Sequence, residues 1–187
     1  MHSLFSQWLV ISSITCCSFA LFAKEQPQCN ENSWNNNLTQ FNRLESTYNR
    51  HATTYNQLLN EHKQRRLLTQ TFSEPDISLL WQSESKKALL ENQLNAARLF
   101  VNKVKENANF VRKLSGVLDS NANNWQKIAL GCQQEQYQVN QIVADWYHTQ
   151  ALELGSQINQ LTTQFDALKA QYDREVATLL RVQNPSN

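Results

Sequence analysis

The sequence predicts an all-α protein built as an elongated antiparallel coiled-coil bundle of three long helices. Three observations carry this prediction. Only three Gly and three Pro occur in 187 residues, too few for a sandwich or barrel that must turn often. Apolar residues recur at alternating spacings of four and three over long stretches, the signature of a helix seam. The breaks between these stretches are few and short.

The first 23 residues stand apart. The run "WLVISSITCCSFALFA" from Trp8 to Ala23 is uncharged and followed at once by Lys24 and Glu25. It has the size of a signal-peptide core and is short for a membrane span, which needs about 20 predominantly apolar residues. Residues 1–23 are therefore expected to be a signal peptide, cleaved after Ala20 or Ala23. The alternative is an uncleaved anchor using residues 4–23. Export, which in a bacterium means the periplasm, follows from the first reading, and membrane attachment only from the second. Residues 24–30 form a short segment ahead of the helical domain, 31–182, and 183–187 a disordered tail.

The first helix is expected over 31–72. Trp34, Phe41, Tyr48 and Tyr55 stand at intervals of seven, and Leu38, Glu45, Ala52 and Leu59 follow each by four. Abundant Asn and Thr weaken helix propensity here, so packing must hold the helix. Lys63, Arg65 and Arg66 suit a helix carboxyl end. Ser73-Glu74-Pro75-Asp76 then reads as a tight turn, with Pro75 placed to open the next helix.

The second helix is expected over 76–119, with a seam from Leu90 through Leu94, Ala97, Val101, Val104, Ala108 and Val111 to Leu118. Its earlier part uses a shifted stripe of Ile77, Trp81 and Ala88. Asp119 to Asn124, "DSNANN", supplies turn and capping residues. The third helix is expected over 123–182. Its first seam is Trp125, Ala129, Cys132, Val139, Val143 and Trp146; its second runs from Leu154 to Tyr172. The spacing between them is a stutter with Gly155 inside it. The third helix must overhang the other two or bend near Gly155, the bend giving a four-helix bundle.

Cys29 and Cys132 remain once the signal is removed, and an even pair in an exported chain suggests a structural disulfide. Asp145 and His148, with Glu45 on the first helix, resemble half of a carboxylate-bridged metal site, but no second Glu-x-x-His exists. No metal and no cofactor are expected. No nucleophile elbow, phosphate loop or H-E-x-x-H occurs, so an enzyme is not expected. A formal net charge of +1 argues against nucleic acid as a partner. Asn37-Leu38-Thr39 is a glycosylation sequon, relevant only in a eukaryotic secretory pathway.

The partner candidates are apolar. Leu79, Leu80 and Trp81 lie beside the Pro75 turn, and Leu161, Phe165, Leu168 and Tyr172 lie on the stripe that an overhanging third helix would leave uncovered. The expected function is an exported, non-enzymatic scaffold or adaptor of the cell envelope that engages a protein partner, or itself, through helix–helix contacts. A holdase-type chaperone is the alternative, and a metal- or ligand-binding bundle a further one.

Overall fold

A computed structural model describes residues 29–184. The expectations for the signal peptide, its cleavage and the last three residues of the tail lie outside the described residues. Among those described, four α-helices pack together without a strand: α1 (Glu31–Gln64), α2 (Glu74–Gln82), α3 (Glu84–Gln134) and α4 (Gln138–Gln183). A 3-10 turn at Leu68–Gln70 lies between α1 and α2. The count of four agrees with the bent alternative and not with three helices. The additional break, however, falls at Ser83, whose extended backbone separates α2 from α3. The shift of stripe between Trp81 and Leu90 marks the same place.

The helix α3 is the spine, about 75 Å long at 1.5 Å per residue. It pairs antiparallel with α4 along nearly its whole length. Helix α1 lies in the groove beside about two thirds of this pair, starting from their turn, and α2 covers the other end. Three clusters fill the interior: Trp125, Ile128 and Cys132 near the α3–α4 turn, Phe100, Val111, Ile158 and Phe165 in the middle, and Ile77, Leu90 and Leu179 under α2.

The turn expected at 119–124 does not exist, because α3 continues through it. Its seam runs on from Leu118 through Ala122, Trp125, Ala129 and Cys132, all buried. Asn121, a turn-former by composition, is buried as well. Its amide donates to the Asn37 carbonyl oxygen (2.9 Å), to Asn37 Oδ1 (2.8 Å) and to Gln40 Oε1 (3.1 Å). Asn37 in turn donates to the Asn121 carbonyl. The donor side of this buried amide is satisfied across two helices, which offsets much of the cost of its burial, while its Oδ1 stays unpaired among the described residues. Asn37 is thus engaged inside the bundle, sequon or not.

Helix α1 corrects its own reading by one residue. The aromatic column holds, but the second column falls three residues after each aromatic, at Asn37, Leu44, His51 and Leu58, all buried. Glu45 is exposed, and Leu38 and Ala52 only border the core. Two of the four true seam residues are polar and find partners, His51 through Asn107 (3.0 Å). The helix ends at Gln64 and not at 72, with His62 and Lys63 in its last turn.

Helix α4 runs unbroken through Gly155, without the stutter or bend. Its seam is Ala144, Tyr147, Ala151, Leu154, Ile158, Leu161, Phe165, Leu168, Tyr172, Glu175, Leu179 and Val182, alternating three and four throughout. A Cβ on Gly155 would meet only Leu118 Cδ2, at 3.6 Å.

At the α2 end a buried carboxylate closes the fold. Glu175 Oε1 accepts from the Leu68 amide (2.9 Å) and from Gln93 (3.0 Å), and Oε2 accepts from the Thr69 amide (2.9 Å) and hydroxyl (2.7 Å). It fixes the 3-10 turn from within the bundle, as an acidic cap satisfies the free amides that begin a helix. Ser73 and Asp76 form a reciprocal capping box on α2, with Pro75 in its first turn, as the sequence suggested.

Candidate functional site at the hairpin tip

The α3–α4 connection is three residues long. Gln136 adopts the left-handed conformation (φ 62°), the one non-glycine to do so among the described residues. The Tyr137 amide donates to the Cys132 carbonyl (2.8 Å) and the Gln136 amide to the Gln133 carbonyl (3.1 Å). These are the two bonds of a Schellman ending, a position usually held by glycine. No Gly, Pro or Asn announces it, so the composition of the turn hid it.

The tip is braced from the amino-terminal side. Cys29 and Cys132 form the expected disulfide, with Cα atoms 4.8 Å apart. Because α3 extends to Gln134, Cys132 is level with the start of α1 and nothing has to fold back to reach it. Beside the bridge, Trp34 meets Trp125 edge-on (5.1 Å between centroids), and Trp125 stacks on Tyr147 (4.6 Å). Trp125 Nε1 and Asn121 Oδ1 are buried without a hydrogen-bond partner among the described residues.

What lies on the other side of α4 defines the site. Ala144, Tyr147 and Ala151 face inward, so the large residues Val139, Ile142, Val143 and Trp146 face out. They stand at i, i+3, i+4 and i+7, one continuous helical stripe. Val139 is 74 % exposed, Ile142 68 % and Trp146 54 %, and Tyr137 and Leu130 beside the turn are also exposed. Between Lys127 and Asp145 the sequence holds one charged residue, Glu135, among six Gln and Asn. The tip is thus apolar on one face and nearly uncharged on the rest. An apolar stripe of this kind, without cover from its own chain, marks an interaction surface.

The residues singled out by sequence fall differently. Leu161, Phe165, Leu168 and Tyr172 are buried against α1 and α3, because α4 does not overhang. Burial pushes the Tyr172 phenol up to about 12. Its hydroxyl lies 3.2 Å from His62 Nδ1, and its ring stacks on Phe100. Trp81 and Leu80 are half-buried against Ile77 and Leu179, while Leu79 points outward at 66 % exposure.

The structure does not assemble the metal-site candidates. His148 Nδ1 lies 2.9 Å from the Ala122 carbonyl, and Asp145 and Glu45 are exposed on different helices. Among the described residues no group of three or more His, Cys, Asp or Glu could hold a metal ion. No helix there is long and apolar enough to cross a membrane. A polar groove of about 420 Å³ between the 3-10 turn and α4 is lined by Thr69, Gln70, Gln171, Arg174, Thr178 and Arg181. Arg181 is already paired there with Glu74 (2.9 Å).

The tip stripe had a trace in the sequence. Val139, Val143 and Trp146 looked like a seam and forced a stutter at 146–154. Two apolar stripes out of phase on one helix produce that irregularity when the true seam is made of small residues. No protein-family model, curated protein or solved structure matches the chain.

Proposed function

We propose that the protein is an exported, non-enzymatic helical scaffold that bridges components of a cell envelope. The observation that carries this reading is the uncovered stripe Val139–Ile142–Val143–Trp146 at one end of a rod about 75 Å long. An unbroken α3 links that end rigidly to the α2 end, where Leu79 offers a second apolar contact. Isolated exposed residues along the sides, such as Leu99 and Phe110, are ordinary for a protein surface. The chaperone alternative requires a cleft between helices. The seam residues Val104, Ile158 and Phe165 are fully enclosed, which favours the scaffold.

Photo-crosslinking in the native cell from position 79 tests the reading. One discrete protein adduct is the expected result and names the component held at that end. Many adducts of unrelated proteins would move the chaperone into first place, and no adduct at all would overturn the bridge.

A further inference from the structure

We propose that the α3–α4 tip seats on a lipid bilayer, with Val139, Ile142, Val143 and Trp146 as the face that enters the headgroup region. The inference rests on the bridging reading, of which it names one end.

Four observations favour a bilayer over a second copy or a protein partner. The first is what the chain carries beside this end. Cys29 is bonded to Cys132 at the base of the tip. Only Lys24 to Gln28 separate it from the uncharged run Trp8–Ala23. Six peptide steps reach at most about 20 Å, so in the uncleaved alternative, with residues 4–23 as the anchor, a bilayer holding that run holds the tip against its surface. The second is the shape of the apolar face. Its residues occupy one side of the first three turns of α4, the arrangement of a helix lying in the interfacial plane.

The third observation is the choice of aromatics. Trp146 and Tyr137 are both about half exposed and flank the aliphatic residues. Their rings have one apolar body and one polar edge, which suits the boundary between headgroups and acyl chains. The fourth is charge. Gln and Asn surround the stripe, and Glu135 is the single charge between Lys127 and Asp145. Seating this surface removes almost no ionic group from water, the step that costs most on entering a membrane. A tip without Lys or Arg draws nothing from anionic lipids. Its attachment is therefore apolar and independent of salt, unlike that of basic amphipathic helices.

The test uses the full chain reconstituted into phosphatidylcholine vesicles. A photoreactive benzoylphenylalanine replaces Ile142 in one preparation and Leu89 in another. Both positions are exposed, so the fold tolerates the change, and Leu89 lies at the opposite end of α3. Circular dichroism verifies the helical content of each. Mass spectrometry after irradiation is expected to find phosphatidylcholine adducts at position 142 and none at 89. The yield should stay unchanged in high salt and on adding phosphatidylglycerol. Adducts of position 142 to a second copy, to residues 1–23 of the same chain, or to nothing would overturn the proposal. So would lipid adducts at both positions, or adducts that need the anionic lipid. Failure here leaves the native-cell result at position 79 untouched, so the two readings can fall separately.

Discussion

The two ends of the rod solve the problem of closure in opposite ways. At the α2 end Ile77 and Leu179 are fully enclosed, only scattered apolar residues such as Leu79 and Leu89 face outward, and polar groups seal the connection. Glu175 gathers four hydrogen bonds there, Ser73 and Asp76 cap α2, and Arg181 clasps Glu74. At the tip the chain is closed by a covalent bond and stacked aromatics, and large apolar residues are turned outward. The difference teaches where to look for function. An end completed from within offers a partner a single exposed residue such as Leu79, whereas an end that leaves an apolar stripe uncovered offers a continuous face.

Opening the covalent closure should produce the largest effect. Replacing Cys29 and Cys132 together by Ala removes a bridge with a sequence separation of 103. It should lower stability to urea by about 2–5 kcal/mol. At the opposite end, Glu175→Ala strands two backbone amides in the interior. It should cost about 3 kcal/mol in the same assay and remove hydrogen-exchange protection at Leu68 and Thr69. If both substitutions proved mild, the contrast between a covalent and a polar closure would collapse.

An alkaline titration probes the covered seam of α4. The Tyr172 phenol is raised above its ordinary value of 10 by burial, so the folded state keeps its proton longer than the unfolded chain. This contribution is fully present below pH 10 and is lost as pH rises to about 12. Stability should fall across that window, and Tyr172→Phe should flatten the fall while losing the contact to His62.

Two faces of one helix sharpen the comparison further. Ala144→Leu adds bulk to a position with no exposure and should cost about 1–3 kcal/mol. Ile142→Gln, two residues away on the outward face, should change urea stability by less than about 0.5 kcal/mol. A large loss from Ile142→Gln would mean that the stripe serves the fold and not a partner. The smallest effect concerns the turn itself. Gln136→Gly relieves a left-handed non-glycine and should stabilise the protein by about 1 kcal/mol.

The helical class and the disulfide were legible because both rest on strong signals, a long four–three alternation and a pair of cysteines outside the apolar run of residues 8–23. What was misread has a common physical cause. Hydrophobicity stood in for burial, yet several seam positions hold small or polar residues. Asn37, His51 and Asn121 enter the core through cross-helix hydrogen bonds that a single helix cannot announce. Ala144 and Ala151 enter it because α3 and α4 approach closely, while Val139 and Trp146, which looked like core, remain outside. The hairpin turn was misplaced for a related reason. "DSNANN" has the residues of a turn but sits on a continuing seam, and the real turn uses a glutamine where glycine is usual. Of the partner residues inferred from sequence, Leu79 stays on the surface, and the four on α4 lost their role when the overhang vanished.

The position of the Cys29–Cys132 bond also decides how the molecule bears load. Tension arriving along the chain from its amino-terminal side would, without the bond, pull directly on Asn30 and peel α1 away turn by turn. With the bond in place, the pull passes through sulfur into the carboxyl end of α3. From there it runs along α3, the helix that spans the rod. A rod tethered in this way passes the load to its longest helix, and α1 lies outside the path of the force.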